Sequence, residues 1–290
     1  MGHAAAHGEV DPERRATLYV VATPIGNLRD ISLRALDILK SVDAVAAEDT
    51  RVTGRLLARY GIAKRLIAVH EHNERRAVKQ VLALLGAGKS LALACDAGTP
   101  AISDPGAMLV SAVREAGYTV TPVPGANAAI AALAAAGIDA PHFLFYGFLP
   151  AKAGERRRAL AALAALPYAL VFYEAPHRVA ECLKDLEEAL GGTRRVVIAR
   201  ELTKLFETIH VCLLAEAAAW VGEDEDRRRG EFVLIVEGAP ARAPGPDAAR
   251  RALEALLGEL PLKQAVALAA KLSGGRKNEL YKLALTLKGK

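Results

Sequence analysis

The first half of the chain alternates short apolar runs with helical patterns, and this alternation restricts the fold more than any other feature. The apolar runs are LYVVA (18–22), VDAVAA (42–47), LIAV (66–69), LALAC (91–95) and VTPVPG (120–125). Each run is short enough for a strand, and a segment with helical spacing follows it. Strands that are apolar throughout and separated by helices predict a mostly parallel sheet covered on both faces.

The second half follows a different pattern, which predicts a second domain. GIDAP (137–141) interrupts the alternation and is the best candidate for a linker. Later strand runs are FLFYGF (143–148), ALVFY (169–173), RVVIA (195–199), TIHVCL (208–213) and FVLIVEG (232–238). Because their connections are shorter, we expect a mixed α/β domain in which the runs 208–213 and 232–238 could pair antiparallel.

A Pro/Ala-rich linker, APARAPGPD (239–247), precedes three helical patterns, over 247–258, 261–272 and 276–288. The chain is therefore predicted to have four parts. They are a flexible N-terminus (1–17), an N-terminal α/β domain (18–138), a C-terminal α/β domain (139–240) and a small basic helical tail (241–290).

The net charge of +5 is concentrated at the C-terminus. Residues 241–290 carry ten Lys/Arg and four Asp/Glu, whereas the remainder of the chain carries 28 and 29. Such asymmetry suggests a polyanionic partner, of which nucleic acid is the usual one. A solvated helix face explains the charge alone equally well.

Three further features favour a cytoplasmic protein with no membrane partner. No apolar run approaches the roughly 20 residues that span a bilayer. The N-terminal MGHAAAHGEVDPERRAT has no hydrophobic core of a signal peptide. The cysteines, Cys95, Cys182 and Cys212, are odd in number and far apart, so they are interpreted as buried thiols in a reducing compartment.

Polar clusters follow the predicted strands at their carboxyl ends. In the first domain these are TPIGN (23–27), AEDTR (47–51), HEHNE (70–74), DAGTPAISDPG (96–106) and PGAN (124–127). FYEAPHR (172–178) and ARELTK (199–204) occupy the same kind of position in the second domain. Since parallel strands end at one edge of a sheet, the first-domain clusters should share a rim. Facing rims of two domains would form a ligand-binding cleft.

Nucleotide-binding and metal-binding patterns are not found. GAGKS (86–90) lacks the first glycine of a phosphate-binding loop and runs from helix to strand, and no G-x-G-x-x-G follows the first strand. His70 and His72 are two residues apart without a third ligand at persuasive spacing, so no metal is predicted.

Three charged groups have more than one interpretation. The triplets Arg156-Arg157-Arg158 and Arg227-Arg228-Arg229 are interpreted as solvated charge in preference to RNA contacts. Glu201 and Lys204 form either an ordinary ion pair or a polarised lysine beside a reacting hydroxyl.

The ordered motifs resemble the ribosomal RNA small subunit methyltransferase I family of the tetrapyrrole methylase superfamily. The motifs are LYVVATPIGNLRDIS, AEDTR, HEHNE, CDAGTPAISDPG, GFLPAK, FYEAPHR and ARELTK, and the similarity runs from about Leu18 to the C-terminus. The resemblance implies a two-domain tetrapyrrole-methylase-like (class III methyltransferase) α/β fold, a homodimer, and S-adenosylmethionine bound in the interdomain cleft. It also implies 2′-O-methylation of cytidine 1402 in the 16S rRNA of the 30S subunit.

The resemblance further implies roles for individual residues. It places around the cofactor Pro24, Gly26, Asp96, Gly98, Thr99, Ser103, Asp104, Gly125, Asn127 and Tyr173. It assigns to RNA binding Arg51, His72, Asn73, Arg178 and Arg200. The expected base is Lys204, with a lowered pKa and oriented by Glu201, and the competing candidates are Glu48 and Asp49.

Two residues of these loops, Asn127 and Asp104, have further predicted roles. The family pattern P-G-P-S/C-A is replaced here by Pro124-Gly125-Ala126-Asn127-Ala128, so Asn127 is expected to present its backbone to the cofactor. Asp104 is predicted to cap the helix that follows it.

Two other functions remain possible on the residues alone. One is a methyltransferase of the same fold that acts on a tetrapyrrole or another small molecule. The basic tail and the HEHNE and ARELTK loops speak against it, because a small acceptor needs no extended cationic surface. The other is a non-catalytic RNA-binding factor of ribosome assembly.

Overall fold

The first sheet is built from the five predicted apolar runs, in a computed structural model that describes residues 16–70, 72–240 and 246–288. Its strands are β1 (Thr17–Val21), β2 (Ala44–Ala47), β3 (Arg65–Ala68), β4 (Leu91–Ala94) and β5 (Thr119–Val123). They lie in the order β3-β2-β4-β1-β5, and every pair is parallel. The predicted parallel sheet is therefore confirmed. Most of the N-terminus predicted to be flexible lies outside the described residues.

Helices cover both faces of this sheet. They are α1 (Leu33–Ser41), α2 (Thr50–Arg59), α3 (Glu74–Gly86) and α4 (Ala107–Glu115). A fifth helix, α5 (Ala128–Ala135), follows β5 and packs on the second sheet. Helices α3 and α4 pack on one face, for example through Val81 and Leu109. Helices α1 and α2 pack on the other, for example through Leu39 and Leu57. Burial on both sides explains why these strands lack the apolar–polar alternation of half-exposed strands.

The strand order brings three loops together at the centre of the carboxyl edge. Strand β1 lies between β4 and β5, so the loops that follow these strands, 22–27, 95–106 and 124–127, are neighbours. Ligands of open α/β sheets bind at this edge, where the strand order reverses.

The second sheet is mixed. Its strands are β6 (Phe143–Phe148), β7 (Ala169–Glu174), β8 (Arg195–Arg200), β9 (Thr208–Leu213) and β10 (Phe232–Val236), in the order β6-β7-β10-β8-β9. Only β6 and β7 are parallel. The suggested antiparallel pairing of 208–213 with 232–238 is wrong. Strands β9 and β10 both pair antiparallel with β8, on its opposite edges. They therefore run in the same direction and do not pair with each other.

Helix α5 packs on one face of this second sheet, against Val171, Val197 and Val233 among others. Three further helices, α6 (Ala153–Leu163), α7 (Val179–Leu190) and α8 (Leu214–Gly222), belong to the opposite face, where Leu170 and Phe172 are fully buried.

Arg156 contradicts its interpretation as solvated charge. It lies on the inner side of α6, is 2% exposed, and its Nη2 lies 2.5 Å from Oδ2 of Asp185 on α7. A buried guanidinium requires such a partner, because an unpaired buried charge is strongly unfavourable. Arg157, the next residue, is half exposed.

The predicted C-terminal helical region is present as α9 (Pro246–Glu259), α10 (Leu262–Ser273) and α11 (Lys277–Lys288). With residues 165–167 it forms a compact unit distinct from the unit that holds both sheets. Its core contains Leu253, Ala265, Ala269, Leu280 and Ala284. Among the residues that the structure describes, no helix is both long and apolar enough to cross a membrane.

Candidate active site

A cavity of about 350 Å³ lies where the central loops of the first sheet meet the strand ends of the second sheet. Six of the residues expected around the cofactor line it: Gly98, Thr99, Ser103, Asp104, Asn127 and Tyr173. Apolar side chains complete the wall, among them Ile25, Phe148, Leu202 and Val233. The cavity thus has the apolar walls and few polar groups of a small-molecule site.

The loop 96–106 is fixed to its neighbours by backbone contacts. Thr23 and Gly98 exchange two backbone hydrogen bonds, of 2.8 and 3.1 Å. The Thr99 hydroxyl donates to the carbonyl of Ala126, which joins this loop to the one after β5. Hydrogen bonds to backbone groups therefore fix this loop beside β1 and beside the loop after β5.

Asp104 does not cap α4, contrary to the prediction. The N-cap position is Gly106, whose side chain can make no cap. Oε1 of Glu74, from the first turn of α3, accepts hydrogen bonds instead from the amides of Gly106 (3.2 Å) and Leu109 (3.3 Å). Asp104 lines the cavity, so its carboxylate is available to a ligand.

The side chain of Asn127, whose role the sequence did not settle, caps a helix. Its Oδ1 accepts a hydrogen bond from the amide of Ile130 and so caps α5, while the residue also lines the cavity. Asparagine is a favourable N-cap residue, so the substitution preserves a well-formed start of this helix.

Four residues expected around the cofactor do not line the cavity: Pro24, Gly26, Asp96 and Gly125. Gly26 lies against the loop 201–204, and a Cβ there would be 2.6 Å from Cγ of Lys204. Asp96 Oδ1 accepts from the amide of Asp49. Their cofactor contacts remain predictions.

Three carboxylates beside the cavity have raised pKa values. Burial is the largest cause at Glu48, Asp96 and Asp104, and repulsion from neighbouring carboxylates adds to it at each of them. Asp49 differs, because hydrogen bonds from Arg51 lower its pKa to about 2. Of the two competing base candidates, Glu48 therefore holds a proton more readily than Asp49.

Lys204 lies between two carboxylates, with Nζ 2.8 Å from Oε1 of Glu201 and 2.8 Å from Oε2 of Glu231. Burial alone lowers the pKa of Lys204, but the hydrogen bonds to both glutamates outweigh it and raise the pKa above 10.5. This contradicts the lowered pKa expected of Lys204 as a base. The ion pair with Glu201 is present, and Lys204 is an ammonium cation within it.

The residues expected to bind RNA differ in their surroundings. His72 is exposed, and Arg51 is exposed while paired with Asp49 at 2.6 Å. The Asn73 amide group closes the turn before α3 by donating to Ala68 and accepting from His70. Arg178 donates to the carbonyls of Leu149 and Pro150, and Arg200 is buried, so both guanidinium groups are engaged within the protein.

Sequence reasoning missed Phe148 and Glu231, which both line the cavity. Both lie at the end of a strand on the same rim, in GFLPAK and GEFVLIVEG, and this position was the available signal. Within the described ranges, no group of three or more His, Cys, Asp or Glu side chains converges as metal ligands would.

The fold is that of methyltransferases of the tetrapyrrole methylase class. Solved structures with the same fold include uroporphyrin-III C-methyltransferase from Thermus thermophilus (TM-score 0.56, 20% identity, 77% of this chain and 94% of that one). Cobalt precorrin-4 methyltransferase is also similar (TM-score 0.58, 19% identity, 80% and 98%). A further T. thermophilus structure of this enzyme is complexed with S-adenyl homocysteine (TM-score 0.54, 20% identity, 76% and 97%).

Sequence comparison identifies the family. The family model of Tetrapyrrole (Corrin/Porphyrin) Methylases matches residues 17–218, and that of the RsmI C-terminal HTH domain matches residues 243–288. Ribosomal RNA small subunit methyltransferase I of Escherichia coli O157:H7 is 54% identical (94% of this chain, 96% of that protein), and that of Pseudomonas aeruginosa is 53% identical (94% and 98%). The chain belongs to the ribosomal RNA small subunit methyltransferase I family. It is an S-adenosylmethionine-dependent methyltransferase, as the motifs predicted.

Proposed function

We propose that this protein methylates the ribose 2′-hydroxyl of cytidine 1402 in the 16S rRNA of the small ribosomal subunit. The observation that carries the proposal is a cofactor-sized cavity whose wall includes Glu231, the carboxylate that pairs with Lys204. Relatives named for small-subunit rRNA methylation align over nearly the whole chain and support the same substrate.

The cavity residues fit S-adenosylmethionine. Apolar side chains such as Ile25 and Val233 suit the adenosyl group, and the Asp104 carboxylate suits a positively charged sulfur or amino group. Gly98, Thr99 and Asn127 would hold the cofactor from the first-sheet side, and Tyr173 from the second. When bound, the cofactor supplies an electrophilic methyl group, so the protein must mainly position the acceptor and manage its proton.

The acceptor is a weak nucleophile, because a ribose hydroxyl keeps its proton at neutral pH. Lys204 is proposed to donate a hydrogen bond to that oxygen and to stabilise its developing negative charge as the proton leaves. Glu201 and Glu231 orient the ammonium group, and a glutamate of the pair is positioned to accept the proton. Glu48, with its raised pKa, is the competing acceptor.

Contact with the ribosomal subunit is proposed to involve the basic tail and the exposed loops. The excess of positive charge in residues 241–290 suits an RNA backbone, whose neutralisation releases counterions. His72 is exposed in the segment between β3 and α3, and Arg51 is exposed in the first turn of α2. A homodimer, implied by the family resemblance, and a cytoplasmic location, favoured by the cysteines and the N-terminal sequence, belong to the same proposal.

The test uses 30S particles from a strain that lacks the corresponding methyltransferase. The purified protein is incubated with these particles and labelled S-adenosylmethionine, and the modified ribose is mapped by primer extension and mass spectrometry. Incorporation at the 2′-oxygen of C1402 is expected. Absence of label in 16S rRNA, from protein that binds the cofactor, would contradict the proposal.

The small-molecule alternative is tested in parallel by incubation with uroporphyrinogen. Methylation of uroporphyrinogen without labelling of 16S rRNA would favour that alternative. RNA binding without any methyl transfer would favour the assembly-factor alternative.

A further inference from the structure

Strand β6 carries a bulge at the point where it reaches the cavity. Phe145 is opposite Val171 of β7, but the next paired residue is Gly147, opposite Phe172, so Tyr146 is an extra residue. Gly147 has a φ of 79°, which side chains other than glycine rarely adopt.

The bulge changes which side chains share a face. In a regular strand, residues 145 and 148 would point to opposite faces of the sheet. Here both rings contact Tyr173, with centroids 5.0 Å away for Phe145 and 5.6 Å away for Phe148. Tyr146 contacts Phe172 on the other face. The extra residue therefore brings Phe148 to the cavity wall.

Phe148 is held in this position although it is largely open to solvent. Its ring meets Tyr173 in a T-shaped contact, and the Tyr173 hydroxyl accepts a hydrogen bond from the amide of Ala129. Phe148 is nevertheless 54% exposed, whereas Ile25, Leu202 and Phe232 of the same cavity are at most 8% exposed. An aromatic ring fixed at the mouth of a cavity is a ready surface for a planar ligand.

We propose that Phe148 stacks on the base of the target nucleotide and so orients its ribose toward the methyl donor. The inference rests on the proposed function, because it concerns the acceptor of that reaction. The exposed position favours the acceptor base over the cofactor, which in the proposed function would occupy the enclosed part of the cavity. RNA-binding proteins commonly recognise unstacked bases by stacking them on aromatic side chains.

The test compares Phe148→Ala, Phe148→Leu and Phe148→Tyr with the wild type, on 30S particles that lack the methyl group. Stacking on one base corresponds to about 5- to 150-fold in binding, so Phe148→Ala and Phe148→Leu are expected to lose about that factor in kcat/KM for the particle. Phe148→Tyr keeps a ring and should stay within about threefold of the wild type. The affinity for S-adenosylmethionine, measured by calorimetry, should change less than about twofold in all three variants.

Phe143→Ala is the matched control, since Phe143 lies on the same strand, is 44% exposed and does not line the cavity. Its kcat/KM should equal that of the wild type. Phe148→Leu retains apolar volume and shows whether a loss comes from the ring or from packing.

The possible results separate the two proposals. A wild type that methylates C1402 together with an equally active Phe148→Leu variant would overturn the stacking role alone. A loss of cofactor affinity that matches the loss of activity would assign Phe148 to the adenine and also overturn it. A wild type that binds cofactor but labels no 16S rRNA would overturn the proposed function and the stacking role with it.

Discussion

Oε1 of Glu74 lies 3.2 Å from the backbone amide of Gly106 and caps a helix that is not its own. The contact ties the first turn of α3, which directly follows His72 and Asn73, to the end of the loop 96–106 that lines the cavity. Glu74, which directly follows two residues expected to bind RNA, therefore helps to hold the loop 96–106 in place.

Glu74→Ala is expected to weaken S-adenosylmethionine binding by about 2- to 30-fold, the equivalent of the ~0.5–2 kcal/mol that a helix cap contributes. Calorimetry measures this change. Glu74→Gln keeps an acceptor oxygen and should recover most of the affinity. Glu115→Ala is the control, because Glu115 accepts a hydrogen bond from Ser111 at the other end of the same helix. Equal affinities in Glu74→Ala and wild type would show that the cap does not organise the loop.

Lys204→Met is expected to lower kcat by about 10²- to 10³-fold, with little change in cofactor affinity, because it removes the proposed cation beside the acceptor oxygen. Lys204→Arg should keep part of the activity, since the charge remains. The pH dependence separates the roles. A cation with a raised pKa stays protonated from pH 6 to 9, so Lys204 should contribute no increase of rate with pH in this range. A rate that increases with pH in the wild type and not in Lys204→Arg would restore the base role.

Asp104→Asn is expected to raise the melting temperature at pH 7. The folded state raises the pKa of Asp104 above 3.8, so the charged carboxylate destabilises the fold at neutral pH, and the penalty disappears as the pH falls below the raised pKa. Melting curves at pH 7 and pH 4 should show a gain at the higher pH only. The same variant should bind S-adenosylmethionine less tightly, since Asp104 lines the cavity.

Asp49→Asn serves as the comparison, because it is expected to shift the melting temperature in the opposite direction. The pKa of Asp49 is lowered to about 2, so its charged form stabilises the fold above pH 3.8, and this contribution is lost as the pH falls toward 2. The variant should melt at a lower temperature at pH 7. If both variants shift the melting temperature in one direction, the assigned pKa directions are wrong.

Arg156→Ala is expected to lower the free energy of unfolding by about 3–5 kcal/mol, because it leaves the Asp185 carboxylate buried without its main partner. Denaturant titration measures the loss. Arg157→Ala removes the half-exposed neighbour and should cost at most about 1 kcal/mol. The double change Arg156→Met with Asp185→Leu should recover most of the stability. A single Arg156→Ala variant as stable as wild type would contradict the burial of this pair.

The alternation of apolar runs and helices predicted the first sheet, because short apolar runs separated by helical segments are typical of parallel strands buried on both faces. The cavity rim followed from the same pattern, since parallel strands end together. The cap by Glu74 could not be predicted, because it joins two helices through a side chain 32 residues away in sequence. The burial of Arg156 depends likewise on Asp185, which is 29 residues away.

Phe148 was missed for a different reason. In a regular strand, side chains two residues apart lie on the same face of the sheet. A single extra residue therefore moves every later side chain of the strand to the opposite face. The pairing of β9 and β10 with opposite edges of β8 could not be predicted either, because the composition of a strand does not show which neighbouring strand it pairs with.

The last strand of the second sheet occupies its centre. Strands β7 and β8 do not pair with each other, and each pairs with β10 instead. During synthesis, the pair β6–β7 and the pair β8–β9 therefore have no strand that joins them until β10, which ends at residue 236, has left the ribosome. Glu231, Phe232 and Val233 of the cavity wall arrive with that strand. The second sheet and this part of the cavity wall are therefore completed only when the last strand of that sheet has been added.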